Sequence, residues 1–345
     1  MSRAEPRPAG AGTRAAGPAD FDAALAALAD GFPADPAEAA GHYRRLALLL
    51  HPDTAPAART DRAAAAFARL TAAWQARHGT LTSPRHGYVL GPVLAEGDLA
   101  TVRTARYGDR RQAVVKIPRE PRDNDLMEHE ADVLTRLRTV GEARHRAYAP
   151  TLVESFRQRR DDGTERVVNA FAPLTGFHTL AEVAAAHPGG LDPRDAAWMW
   201  RRLLTALGWA HRARLVHGAV FPEHVLIHPG MHGLVLVDWC YATATGTDLP
   251  VLLPRHAGSY PAEALAHLPA GPATDIHLAA LCVAQLIGDR TPAPMRAFLR
   301  GCTLPEQHRR PQDAWQLLAE LDDLLDRLYG PRTFRPFTMP AAPPA

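Results

Sequence analysis

Of the 39 basic residues in this 345-residue chain, 38 are arginine and one, Lys116, is lysine. A chain so rich in Ala and Arg uses arginine wherever either cation serves. The persisting lysine therefore marks a place that needs a compact ammonium, for which a guanidinium fork is no substitute. Glu130 shares a helical stripe with Leu126, Val133, Leu134 and Leu137. A carboxylate on such a face needs a cation, or else it is an edge residue reaching water. Asp238 closes the apolar run LVLVD, and residues 215–228, LVHGAVFPEHVLIH, gather His217, Glu223 and His224. His224 could ligate a metal, although imidazole suits ions softer than magnesium. His51, Pro52 and Asp53 follow the run YRRLALLL, where Pro52 must end any helix. Cys240, Cys282 and Cys302 are too few and too scattered for a disulfide frame or a zinc site.

The elements that position these groups follow from periodicity. Residues 1–18 are rich in Ala, Pro, Gly and Arg without a period and read as a disordered leader. Residues 20–78 read as three short helices sharing one core. The first carries Phe21, Ala24, Leu25 and Leu28 and stops at Gly31 and Pro33. The second opens with Asp35 as cap, Pro36 and Glu38, and buries Tyr43, Leu46, Ala47 and Leu50 with Arg44 and Arg45 outward. The third carries Phe67, Leu70, Thr71 and Trp74. A linker, 79–86, leads into β-like runs, YVLGPVLA, ATVRTARY and QAVVKIP, and a helix, DLMEHEADVLTRL. Two further apolar runs follow, and beyond residue 191 helices dominate, up to a loose Pro-rich tail over 329–345. The net charge of +2 gives no general attraction to nucleic acid or lipid. The first 20 residues hold no signal-peptide core, and HLAALCVAQLIG is too short to span a bilayer. The expectation is a cytoplasmic chain with no nucleic-acid or membrane partner.

Over residues 87–328 the order of these features resembles a protein kinase, with a β-rich N-lobe and an α-rich C-lobe. Lys116 in VVKIP matches the lysine that grips nucleotide phosphates, and the resemblance pairs it with Glu130. Asp238 matches the magnesium-binding aspartate of the D-F-G motif, with Trp239 and Cys240 in place of Phe and Gly. LAEGDLATV keeps one phosphate-loop glycine, Gly97, and Val102 takes the place that covers an adenine ring. Glu263 and Arg310 match a buried ion pair, and Asp275 the residue that braces the catalytic loop. The 215–228 run resembles that catalytic loop, H-R-D-L-K-P-E-N-V-L, through His217, Pro222, Glu223, Val225 and Leu226. Ala219 replaces the aspartate that accepts the substrate's proton, His224 the asparagine for a second magnesium, Gly218 the arginine and Phe221 the lysine. The resemblance therefore implies a pseudokinase with no catalytic residue. In it Lys116, Glu130, Gly97, Val102 and Asp238 would hold ATP and Mg2+ weakly or structurally, with Asp238 as the metal ligand.

Residues 20–78 resemble a J domain, the co-chaperone module whose His-Pro-Asp tripeptide lies between its second and third helices. Tyr43-Arg44-Arg45-Leu46-Ala47 matches that family's Y-R-K-L-A run, and the first helix matches loosely. The resemblance implies that His51, Pro52 and Asp53 trigger ATP hydrolysis by a DnaK-type chaperone, and that Arg44 and Arg45 steer its acidic surface. The plain alternatives are a solvated loop and a solvated helix face. Together the expectation is an α+β chain, a small all-α J-like domain followed by a bilobal kinase-like domain. It would act as a co-chaperone or adaptor whose kinase-like part senses nucleotide or binds a client protein. The competing expectation is an atypical ATP-dependent Ser/Thr kinase using Lys116 and Asp238 without the usual aspartate.

Overall fold

A computed structural model describes residues 17–33, 36–109, 111–160 and 163–340. Nearly all of the expected leader, the Asp35 cap and the last residues of the tail lie outside them. The chain mixes helix and sheet in an α+β arrangement. By internal contacts it forms two units, Met1–Pro92 with Ala105–Arg110, and Val93–Thr104 with Arg111–Ala345. No helix among the described residues is long and apolar enough to cross a membrane.

The first unit is built on α1 (Pro18–Ala29), α2 (Pro36–Leu50) and α3 (Thr60–His78). Their apolar stripes meet in one core of Phe21, Ala24, Leu28, Leu46, Leu50, Ala63, Ala66 and Leu70. Tyr43 stacks on Trp74 at 4.5 Å. Gly31 ends α1 region at φ +83°, a conformation that favours glycine. The Arg59 side chain closes the unit onto α1 by donating to Asp22 at 2.6 Å. Within 79–86, β1 (Thr80–Thr82) pairs antiparallel with the start of β2 (Gly87–Glu96), Thr80 opposite Val89 and Thr82 opposite Gly87.

The second unit takes the remainder of β2 and most of β3 (Ala100–Tyr107), then β4 (Arg111–Pro118), α4 (Asn124–Val140), β5 (Leu152–Arg159) and β6 (Glu165–Phe171). The strand order β2-β3-β4-β6-β5 sets β6 between β4 and β5, with Lys116 opposite Asn169. Then come β7 (His178–Thr179), α5 (Leu180–Ala186), α6 (Pro193–Arg212), β8 (Leu215–Val216), β9 (Val225–His228), β10 (Gly233–Leu236) and β11 (Thr243–Ala244). The chain finishes with α7 (Ala262–Leu265), α8 (Pro272–Ile287), α9 (Ala293–Cys302) and α10 (Ala314–Tyr329). Asp192 and Asp313 cap α6 and α10 by accepting from backbone N–H groups in the first turn. Buried Trp200, Leu203, Leu204 and Leu207 of α6 lie in the same core as Ile276 and Val283 of α8 and Leu317 and Leu321 of α10.

Two expectations need correction. On α4 the fully buried residue of the first turn is Met127, while Leu126 is only half-buried. The tail is not loose as far as residue 340. Arg335 donates to Asp195 at 2.6 Å and to Asp192 at 3.2 Å, and Phe337 is buried against His187 and Trp198. Proline content there limits hydrogen bonding but not anchoring by one aromatic ring and one guanidinium.

Candidate functional site

The sole lysine lies inside the second unit. Its β4 strand alternates faces, and Lys116 falls on an inward one, 5 % exposed. Across from it α4 presents Glu130, 1 % exposed. Lys116 Nζ donates to Glu130 Oε1 at 2.9 Å, to Asp238 Oδ1 at 2.6 Å and to Cys240 Sγ at 3.3 Å. An ammonium has three protons, and here each has its acceptor. Burial alone would lower the Lys116 ammonium, but the neighbouring charge of Asp238 leads the groups that hold it well above its usual range. Burial would likewise raise Asp238, yet the Lys116 charge outweighs it and keeps the carboxyl far below the usual range. Burial pushes the Cys240 thiol up, so it stays protonated and adds no charge at neutral pH.

Asn169 completes the cluster. Its side-chain amide donates to Glu130 Oε2 at 3.0 Å and to the Met127 carbonyl at 2.9 Å, which fixes the carboxylate on the strand side. The signal for it was present in the sequence, a lone amide within the apolar run ERVVNAF.

Asp238 holds a left-handed backbone, φ 64° and ψ 46°, at the head of a 3-10 turn over Trp239–Tyr241. That turn is buried, and Trp239 Nε1 donates back to the Leu236 carbonyl at 2.7 Å. The other Asp238 oxygen faces His224 Nε2 at 3.4 Å. His224 Nδ1 lies 2.8 Å from the Ala219 carbonyl and so carries the proton there. Asp275 accepts from the backbone N–H of His217 and Gly218, each at 2.8 Å, and lies 2.9 Å from His211 Nε2. His217 Nδ1 accepts from the Ala219 N–H while Nε2 donates to the Val237 carbonyl, which fixes a neutral ring. Burial pushes that ring down to about 4. Gly218 has φ +72°, and a Cβ there would lie 2.6 Å from Leu249. The loop is thus shaped around the absence of a side chain at 218. Ala219 is fully buried and offers no proton acceptor.

Gly97 and Val102 flank the tip of the β2–β3 hairpin. The Gly97 N–H donates to the Ala100 carbonyl at 2.9 Å, so it serves the turn. Asp98 at the tip pairs with Arg255 at 2.9 Å, and the same guanidinium pairs with Glu223 at 2.8 Å. Glu223 also meets His256 Nε2 at 2.5 Å, and the His256 ring stacks on Phe221 at 3.8 Å. Arg255 ties the hairpin tip to the 219–224 loop, and sequence spacing gave no sign of it. A buried pair elsewhere in this unit joins Arg310 to Glu263 at 2.6 Å, with the Thr274 hydroxyl donating to the same carboxylate.

Glu130, Asp238 and Cys240 could together offer atoms to a cation, their donor atoms lying within 4.8 Å of one another. Lys116 already supplies the positive charge among them. As arranged, these residues do not fit magnesium and a phosphate chain. The Lys116 protons are all engaged, the Gly97 N–H is turned to Ala100, and a carboxylate stands at the hairpin tip.

In the first unit, His51-Pro52-Asp53 forms the turn directly after α2. The carbonyl of His51 accepts from the N–H groups of Thr54 and Ala55, and its Nδ1 accepts from the Asp53 N–H at 3.2 Å. The ring rests edge-on against Phe67 at 4.8 Å, leaving Nε2–H as its second polar edge. Asp53 is exposed, as are Arg44 and Arg45 one to two turns earlier on α2, where Arg45 bonds His42 at 3.0 Å. No protein-family model matches this chain, and no curated protein is significantly similar to it.

Proposed function

We propose that the chain is a co-chaperone or adaptor: a J-like helical unit that stimulates a DnaK-type chaperone, joined to a kinase-like unit that binds a client protein and does not transfer phosphate. The observation that carries this reading is the tripeptide itself. His51, Pro52 and Asp53 occupy a hydrogen-bonded turn between α2 and α3, with the exposed Arg44 and Arg45 on the helix that leads into it. Exposed arginines raise encounter rates with an acidic partner surface.

For the second unit, the reading rests on what the retained residues are doing. Lys116 is engaged by both Glu130 and Asp238, Ala219 cannot take a proton, and His224 is a poor ligand for magnesium. A nucleotide phosphate would have to displace Asp238 from Lys116 before gaining that cation. We therefore favour client binding over nucleotide sensing, and over the alternative of an atypical Ser/Thr kinase using Lys116 and Asp238. A cytoplasmic location, with no nucleic-acid or membrane partner, belongs to the same proposal.

The test is steady-state ATP hydrolysis by a DnaK-type chaperone from the same organism, with and without the full chain and with His51→Gln as control. Stimulation that vanishes with His51→Gln is the expected result. A folded chain that gives no stimulation would reduce the tripeptide to an ordinary turn. Abundant phosphate transfer abolished by Asp238→Ala would overturn the pseudokinase part alone.

A further inference from the structure

Away from Lys116, the second unit holds a cavity of about 370 Å³. Its walls come from α4, the 3-10 segment Ala143–Tyr148, the start of β5 and α6. Leu134, Leu137 and Leu152 give it an apolar lining, and Trp209 contributes an indole. Arg138 and Arg146 stand at its edge, both exposed. Volumes of this order belong to small-molecule sites, which combine an apolar wall with a few polar groups.

The local charge is one-sided. Residues 134–152 contain Arg136, Arg138, Arg144 and Arg146 but a single acid, Glu142. That acid is already taken, with Arg144 at 2.8 Å and Arg212 at 2.6 Å. Arg136 is spent on the Ala213 carbonyl. The guanidinium groups of Arg138 and Arg146 have no ion-pair or hydrogen-bond partner among the described residues. The Trp209 indole N–H also lacks a partner, although the residue is only 2 % exposed. Buried indole N–H groups ordinarily find an acceptor. Gly141 is what makes room for this ring, since a Cβ there would lie 2.4 Å from Trp209 Nε1.

We infer that this cavity is a binding site for a small organic acid, its apolar body against the leucines and its carboxylate between Arg138 and Arg146. Guanidinium-to-carboxylate bonds are the strong kind, and both arginines are uncommitted. The apolar surface still open, the half-buried Leu152 and the alkyl stems of Arg138 and Arg146, sets the class of ligand, because an inorganic anion would leave it uncovered. This assignment is independent of the chaperone and kinase readings.

Octanoate is the probe, titrated into the full chain by calorimetry and by tryptophan fluorescence. The expected result is saturable binding of one octanoate per chain in the millimolar range or tighter. Octanol, with the same chain and no charge, should bind about tenfold more weakly, and so should octanoate to the Arg138→Ala/Arg146→Ala double variant. Both arginines are exposed, so that variant should keep the wild-type melting temperature. Thr135→Trp, at an exposed position on the cavity wall, should block entry and serves as the second test. Absence of saturable octanoate binding to the wild-type chain overturns the assignment. Octanoate affinity left unchanged by the double arginine change, or by Thr135→Trp, overturns it equally.

Discussion

The two units place their chemistry-bearing residues in opposite surroundings. His51, Pro52 and Asp53 lie at the surface, held by a few local bonds to their own backbone. Lys116, Glu130, Asn169 and Asp238 come from separate strands, a helix and a turn, and meet in the interior. A surface turn keeps its polar edges available to a partner and contributes little to stability. The interior cluster pairs its charged groups with one another, leaving the Asn169 Oδ1 unpartnered, and removing one charged member leaves the others unpaired. The first arrangement suits recognition and the second suits holding a fold together. This contrast is why Lys116, Glu130 and Asp238 do not by themselves argue for catalysis.

The contrast can be broken most forcefully at Lys116. Lys116→Met leaves the buried Glu130 and the half-buried Asp238 without their cation and should cost roughly 3–5 kcal/mol in urea unfolding. An unchanged midpoint would show that the cluster does not support the fold.

Acid should expose the same unit next. His217 is buried neutral, its ring lowered from 6.5 to about 4 chiefly by burial, against the raising effect of the Asp275 carboxylate. The unfolded chain therefore binds the proton more readily. Its contribution is complete above pH 6.5 and is lost as pH falls toward 4, by roughly 3 kcal/mol. Denaturant midpoints measured across that range should show the loss, and His217→Asn should flatten it.

Gly218→Ala forces a Cβ into Leu249 at positive φ and should cost roughly 1–3 kcal/mol by the same denaturation measurement. The smallest effect belongs to the other unit. His51→Gln should shift unfolding by less than about 0.5 kcal/mol while removing chaperone stimulation. A large loss of stability there would erase the distinction between the two regions.

Much of the local structure was legible because period and capping are short-range signals. Phe21, Leu46 and Leu70 lie in the core their spacing predicted. Lys116 was legible through composition, and Glu130 through its place on an apolar stripe, since each violates a local expectation. Asn169 was legible on the same ground and was missed. Arg255 was not legible at all. It is one of 38 arginines, and its two partners, Asp98 and Glu223, lie far from it in sequence and become neighbours only through tertiary structure. The anchoring of Phe337 was hidden for a related reason. Proline-rich composition reports the lack of regular hydrogen bonding and says nothing about one ring finding a hydrophobic seat.

That seat has a consequence for the order in which the chain is made. The core of the helical unit closes between Phe21 and Leu70, so it can form while most of the chain is still unsynthesised. The core of the second unit includes Phe337, which packs on Trp198 and is synthesised long after it. During translation the second unit must wait, its apolar helices exposed, after the helical core has closed. A nascent chain stalled before Phe337 should present a folded helical unit and an incompletely packed partner.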